Sequence, residues 1–448
     1  MKKIRISPYI VIMICFLAPI LIGAGLLCLP FAHQPGKTLS FVDALFLSTS
    51  SICVTGLSVV DVGTTLSIFG QAVMAVLIEI GGVSILTIAC FFILFVQKKL
   101  AYSTQTIMQE MLNRDTMADI KSLIRKIIVF SLVVQFIGAV VNCIVFLLHY
   151  DDAGFAVRAA VFHTVSAYNN AGFDVLGTGD NLVTITRELS PVLNAIFKIN
   201  TMLLIVIGGI GVIFLDDLWK KKSWKKLTVS SKVVFIVTGG IIFGGGLLLK
   251  LFYFLDGQNV SLLECFFLVV SSRTAGFDNV GLYENTPGTV QSLLVFTMYV
   301  GASPASTGGG VKTTTFFVVV AVIFAFIRGK RPAFSYKSIS QQTILKAFVL
   351  IIFSILYILV AVIAISGVEG ENAVVSDIVF EVVSAFSTTG LSLGITPHLA
   401  AASKLILCLT MYVGRVGILT FLSAMNKSWI FSKSEDDVKY VEENIVVG

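Results

Sequence analysis

The chain runs to 448 residues, of which 56% are hydrophobic and only 13% charged, with a mean hydropathy of +0.93. A soluble domain carries about 25% charged residues, so this composition excludes an ordinary soluble fold and points to a bilayer. The formal net charge of +6 reads as membrane topology and not as a nucleic-acid footprint, because the basic residues gather in short connecting segments.

Apolar stretches long enough to cross a bilayer, about 20 residues, are predicted at 8–31, 66–97, 127–148, 190–215, 232–255, 290–327, 345–366 and 402–425. The first follows Met1-Lys2-Lys3-Ile4-Arg5. Its apolar core is too long for a secretory signal and lacks a small-residue cleavage site, so it reads as a retained helix. Most of the 32 basic residues fall in the N-terminus, 98–126, 219–232, 328–346 and the tail. Those segments are expected on the cytoplasmic side, with both termini. The alternate connections carry Asp61, Asp151, Asp152, Asp180, Glu188, Asp256, Glu284, Glu369 and Glu371 and are expected outside. Cys15, Cys28, Cys53, Cys90, Cys143, Cys265 and Cys408 lie mostly within apolar runs with no C-x-x-C pair, which suggests neither a disulfide framework nor a zinc site. His33, His149, His163 and His398 form no metal-ligand cluster, and His163 is expected on a short pore helix.

Four short tags, each with one glycine, recur at intervals of a little over a hundred residues. They are Val54-Thr55-Gly56-Leu57-Ser58, Asn170-Ala171-Gly172-Phe173-Asp174, Thr274-Ala275-Gly276-Phe277-Asp278 and Thr388-Thr389-Gly390-Leu391-Ser392. Ten residues before each glycine stands a phenylalanine: Phe46, Phe162, Phe266 and Phe380. Six before it stand Ser50, Ser166, Val270 and Ser384. Downstream comes a second glycine, Gly81, Gly208, Gly301 or Gly414, always after Ile or Val. This is an internal repeat of span, short segment, tag and span, with two spans per unit and therefore parallel copies. The boundaries are 1–97, 98–218, 219–328 and 329–448. Close helix packing does not explain matched phenylalanines around the tag glycines. For the second set it stands level with a role in the pore.

Segments such as Phe41 to Cys53 and Glu264 to Arg273 are about a dozen residues, too short to span but long enough for a half-helix that enters and turns back. The tag is the turn. Irregular backbone at membrane depth survives only where protein buries it or water reaches it, and a cation supplies its carbonyls with a partner. Glycine takes the backbone angles that aim a carbonyl inward. The negative end of each half-helix dipole points the same way.

Four parallel units of span, pore half-helix, single-glycine filter and span resemble the Trk/Ktr/HKT superfamily of potassium transporters, over about residues 8–448. The membrane subunit of bacterial Ktr systems is the most similar branch. The resemblance implies an all-α membrane fold with eight transmembrane helices and four re-entrant pore loops around one pseudo-fourfold pore. The filter would comprise Val54, Thr55 and Gly56; Asn170, Ala171 and Gly172; Thr274, Ala275 and Gly276; Thr388, Thr389 and Gly390. Glycine at position 56 argues for potassium over sodium. The resemblance further implies sodium stimulation, a homodimer, and a separate cytoplasmic nucleotide-binding ring, with the basic segments as its docking surface. Transported potassium, with sodium as a second ion, is the only small-molecule requirement it suggests. No organic cofactor and no nucleic-acid partner is expected, and no enzyme activity.

The third unit contains Gly301-Ala302-Ser303-Pro304-Ala305-Ser306-Thr307-Gly308-Gly309-Gly310-Val311-Lys312-Thr313. Its end mimics a phosphate-binding loop, but Val311 stands where glycine is required and no strand precedes it. Pro304 and three successive glycines break a helix. By resemblance 301–315 is a movable gate under the filter, involving Gly301, Ser303, Pro304, Ser306, Gly308, Gly309, Gly310 and Lys312. Ala302 and Ala305 replace expected glycines and Gly308 an expected alanine. Arg415 lies within the last span, where a charge costs at least about 2.5 kcal/mol. It is expected at the gate, with pairing to a buried acid such as Glu79 as the alternative. Lys198 and Lys312 are expected to reach the membrane surfaces, and Arg273 to support the third tag. An alternating-access transporter remains the competing function, although such folds often carry inverted repeats and paired broken helices. Here the repeats are parallel and only one span is expected to break.

Overall fold

The computed structural model describes residues 8–82, 117–176, 181–283, 286–304, 306–418 and 420–421. The described residues are mostly helical. Among the described residues four helices are long and apolar enough to cross a membrane: Arg125–Leu147, Pro191–Ile210, Val229–Leu255 and Gln341–Asn372. Shorter apolar helices include Ile12–Leu27, Ile68–Gly82 and Thr313–Ile327. The stretches expected at 66–97 and 402–425 pass out of the described residues after Gly82 and Phe421, as do Cys90, most of 98–126 and the tail.

Each copy consists of a leading helix, a pore helix and a trailing helix. The leading helices are Pro8–Leu27, Met117–Leu147, Val229–Leu255 and Gln341–Glu369. The pore helices are Phe41–Cys53, Ala153–Asn169, Leu262–Ser272 and Val375–Ser387. Three of them start on side-chain caps, which satisfy amide groups that a helix start leaves unpaired. Ser40 accepts from Asp43 N at 3.1 Å, Asp152 from Gly154 N at 2.8 Å, and Ser261 forms a reciprocal capping box with Glu264. The trailing helices are Ile68–Gly82, Pro191–Ile210, Gly288–Tyr299 and Ala401–Val416.

Packing closes these copies into a ring. Every trailing helix lies against the pore helix of its own copy and against that of the next, and the fourth trailing helix lies against the first pore helix. The second glycines make the close approach possible. A Cβ on Gly81, Gly208 or Gly414 would run into the carbonyl of Ile52, Tyr168 or Phe386, each in the last turn of the same copy's pore helix. For these three, close packing is the answer. Gly301 departs from the pattern and faces Gly309 O at 2.5 Å.

More helices break than the single one expected. Beyond the interruption between Gly288–Tyr299 and Thr313–Ile327, the second trailing helix ends at Gly211 (φ +84°) and the fourth at Gly417 (φ +86°). Only glycine holds such angles without strain, and both positions lie three residues past the close-packed glycine.

Ion pairs pin two of the four seams. Lys198 and Lys404 each stand ten residues before the trailing glycine. Lys198 Nζ meets Glu264 Oε1 at 3.2 Å on the third pore helix, and Lys404 Nζ meets Asp43 Oδ1 at 2.9 Å on the first. Lys198 is 2% exposed, so the expectation that it reaches the surface is overturned: the acid on the next pore helix holds it inside. At the other two seams the same position is glutamine, and Gln71 and Gln291 donate to Leu66 O and Thr286 O of their own copies. Lys198→Met should therefore destabilise the protein by about 1–3 kcal/mol, because Glu264 loses its partner while still partly wet. Adding Glu264→Gln should restore most of the loss, read as thermal unfolding in detergent. A double variant no more stable than the single one would contradict this.

Candidate ion pathway

The tags begin where the pore helices end. Val54 (φ 55°), Asn170 (φ 60°) and Thr388 (φ 51°) take left-handed conformations at the helix C-terminus. The next amide reaches back five residues: Thr55 N to Ser50 O at 2.8 Å, Ala171 N to Ser166 O at 2.7 Å, Thr389 N to Ser384 O at 2.8 Å. Val54, Asn170 and Thr388 N bond to Ser51, Ala167 and Ala385 O, completing a Schellman closure. These bonds hold Val54 and Thr388, both β-branched, in a conformation they otherwise avoid. The third copy differs. Arg273 caps the helix with negative φ and Thr274 (φ 73°) is left-handed, while Ala275 N and Gly276 N both bond to Ser271 O.

The serine six residues before the glycine explains part of that difference. Ser50 Oγ accepts from Gly56 N at 3.1 Å and Ser384 Oγ from Gly390 N at 3.0 Å. Val270 has no oxygen to offer, and Ser271 Oγ donates to Phe277 O at 2.6 Å. Arg273 is 6% exposed and donates to Thr238 Oγ1 at 3.3 Å, behind the third tag.

The four glycines meet in chain order. Gly56 has positive φ, and a Cβ there would lie 2.5 Å from Ala171 O and 3.1 Å from Gly172 Cα. At Gly172 it would lie 2.5 Å from Ala275 O and 3.1 Å from Gly276 Cα. One at Gly276 would strike Thr389 O beside Gly390 Cα, and one at Gly390 would strike Thr55 O beside Gly56 Cα. The contacts run first to second, second to third, third to fourth and fourth to first. Eight of the twelve tag residues named from the sequence, the glycines and the residues before them, thus come together in one closed ring of backbone.

Beneath it lies the loop of the third copy. Gly308 sits against Thr274 and Gly309 against Thr388, so closely that a Cβ on either would strike the threonine hydroxyl. Gly310 has φ +71° and lies by Ser387. Ser303 N and Thr307 N bond to Gly209 O and Gly208 O of the second trailing helix, and Ser306 Oγ donates to Ser303 O at 2.7 Å. Pro304 lies within this turn, and Ala305 is outside the described residues. Lys312 does not extend to a surface as expected; its ammonium turns back to Gly308 O at 2.7 Å and Gly309 O at 3.3 Å. Arg415, 4% exposed, donates to Thr307 O of the loop and to Gly81 O at the end of the first trailing helix. Glu79 is engaged elsewhere, accepting from Asn169 Nδ2 at 2.7 Å and from Gln135, so the Arg415–Glu79 pair is absent. Beside the loop a cavity of about 170 Å³ opens between Gly310, Val311, Leu350, Phe386 and Ile418.

The chain as a whole has known relatives. The TrkH family, described as cation transport protein, matches residues 9–243 and 251–430. The chain belongs to that family. Relatives within its reach include the potassium/sodium uptake protein NtpJ of Enterococcus hirae, 34% identical over 99% of this chain and 98% of that one. The Ktr system potassium uptake protein B of Bacillus subtilis is 33% identical over 100% and 98%. Among solved structures, the potassium transporter TrkH of Vibrio parahaemolyticus aligns with a TM-score of 0.69 at 17% identity, covering 96% of this chain and 87% of that one. That likeness is one of fold. The TrkH family membership, the similarity to Ktr-type potassium uptake proteins and the apolar helices together make this a membrane protein of the Trk/Ktr transporter class.

Several residues of the site carry no mark in the tags themselves. Glu381 and Glu79 are acids inside apolar helices, a signal present in the sequence that the glycine alignment passes over. The pairing of Asn170 with Thr274 across copies, at 3.2 Å, has no such signal, since it joins the first residues of two different tags.

Proposed function

We propose that the chain mediates potassium uptake through a pore whose filter is the ring of Gly56, Gly172, Gly276 and Gly390, closed below by the loop 301–315 with Lys312 and Arg415. The observation that carries this reading is the cyclic contact of each filter glycine with the carbonyl preceding the next. Four backbone carbonyls set in one closed cycle of contacts, with the C-terminal ends of four helices leading into it, suit a dehydrated monovalent cation. Both relatives above are named for potassium uptake, and one also for sodium. Parallel copies in a ring favour a central pore over the inverted halves of an alternating-access carrier.

On this reading the four units 1–97, 98–218, 219–328 and 329–448 contribute eight spans and four re-entrant segments, with both termini cytoplasmic. Uptake is stimulated by sodium, the chain works as a homodimer, and a cytoplasmic nucleotide-binding subunit controls it. The Bacillus subtilis relative is named as one component of a Ktr system, which supports a multi-component assembly. Exposed Trp219 and Tyr336, within the basic segments 219–232 and 328–346, offer that subunit a footing.

The test is tracer uptake by vesicles holding the purified chain, with rubidium in place of potassium. Rubidium should enter, unlabelled potassium should compete strongly and sodium weakly. Vesicles that take up no rubidium would sink the proposal, while equal competition by sodium would favour a sodium-conducting member of the same class.

A further inference from the structure

Glu381 lies on the fourth pore helix, nine residues before Gly390, and is 1% exposed. One carboxylate oxygen accepts from Ser392 Oγ. The other accepts from Thr396 Oγ1 at 2.8 Å. Ser392 stands two residues past the filter glycine, and Thr396 opens the turn Thr396–His398. A single carboxylate therefore ties the backbone leaving the filter to the helix that delivers the filter.

The other copies lack this tie. Nine residues before their glycines stand Leu47, His163 and Phe267, and His163 Nε2 engages Thr201 Oγ1 on the trailing helix instead. Two residues past their glycines, Ser58 Oγ accepts from Val60 N, Asp174 from Leu176 N, and Asp278 from Val280, Gly281 and Leu282 N. Those side chains fold their own exit loops. In the fourth copy Ser392 does this too, accepting from Gly394 N at 2.9 Å, and the loop is then fastened to the helix as well.

The fourth copy is where such a fastening matters. Adjacent copies elsewhere are joined by the chain, but the fourth meets the first through non-covalent contacts alone, among them Gly390 against Thr55 O and Gly56 Cα, the Lys404–Asp43 ion pair and the Arg415 hydrogen bond to Gly81 O. Burying a carboxylate is costly unless its lone pairs are matched, and hydroxyl donors to a carboxylate are among the stronger hydrogen bonds. We propose that Glu381 is a positioning residue for ion selection: through Ser392 and Thr396 it sets how closely Gly390 approaches Gly56 and so fixes the width of the ring at its closing seam. This rests on the reading of the ring as the potassium filter.

The experiment compares rubidium and sodium fluxes into vesicles holding the full chain. Glu381→Leu should reduce discrimination roughly threefold to tenfold, and Ser392→Ala with Thr396→Val should do the same. The triple variant should be no worse than the more affected of these, because all act on one linkage. Glu381→Gln, which can still accept from one hydroxyl and donate to the other, should keep most of the discrimination. Unchanged discrimination in folded Glu381→Leu, or losses that add in the triple variant, would overturn the proposal. If Glu381→Leu does not fold, unchanged discrimination in the Ser392→Ala/Thr396→Val protein overturns it equally. A wild-type chain that carries no rubidium would instead sink the filter reading, and the latch with it.

Discussion

Replacing Gly56 by serine should lower the preference for potassium over sodium by on the order of tenfold, a change of about 1.4 kcal/mol, in protein that still folds. The cause is geometric. The residue sits at φ +99°, where an L side chain is strained, and its Cβ would lie 2.5 Å from Ala171 O. That carbonyl belongs to the ring, so on the proposed reading relief of the clash moves a cation ligand of the neighbouring copy. The equivalent change at Gly390 should be more severe, since its Cβ would press still closer on Thr55 O at the seam where the last copy meets the first. Sodium competition against rubidium uptake reads both effects. Equal selectivity in wild type and Gly56→Ser would remove this ring from consideration as the filter.

The ring was readable in the sequence because its physics is local. A half-helix, a left-handed closing residue and a glycine must follow one another within a few positions, and four copies make the register unmistakable. The serine six residues before the glycine shows how far such reading goes: alignment finds Ser50 and Ser384, but only coordinates show their hydroxyls accepting from Gly56 N and Gly390 N. The extra breaks at Gly211 and Gly417 were missed although both glycines were in view. A glycine three residues after another in an apolar run suits a packed helix as well as a turn, and only the positive φ that Gly211 and Gly417 take in the fold tells the two apart. Lys198 and Lys312 were misplaced for a related reason. Reach to a surface follows from side-chain length, whereas the partners that hold them inside, Glu264 and the Gly308 and Gly309 carbonyls, come from another copy and from a folded loop. Long-range pairings of this kind leave no periodic trace.

Arg415→Ala should raise the basal rate of rubidium entry by on the order of tenfold without changing the preference for potassium over sodium. The guanidinium joins Thr307 O of the loop to Gly81 O of the first trailing helix, so on the proposed reading it fastens the loop across the path below the filter. Hydrogen bonds from a charged donor are worth about 1.5–3 kcal/mol each, and shifting a closed-to-open equilibrium by about 1.4 kcal/mol changes the open population tenfold where that state is rare. Removing the charge also lowers the electrostatic barrier that a fixed cation presents to a passing one. The neighbouring cavity between Gly310, Val311 and Leu350 gives the released loop room to move. Arg415→Lys should fall between, because a point ammonium on a flexible stem can hold one carbonyl but not reach both in the fork geometry of arginine. Deleting residues 306–309 removes what Arg415 holds, so it should raise the flux to a similar level, and adding Arg415→Ala to that deletion should change little. Flux unaltered in folded Arg415→Ala protein would reject the fastening. A rise accompanied by lost selectivity would place the arginine's effect on the filter above it, not on the loop.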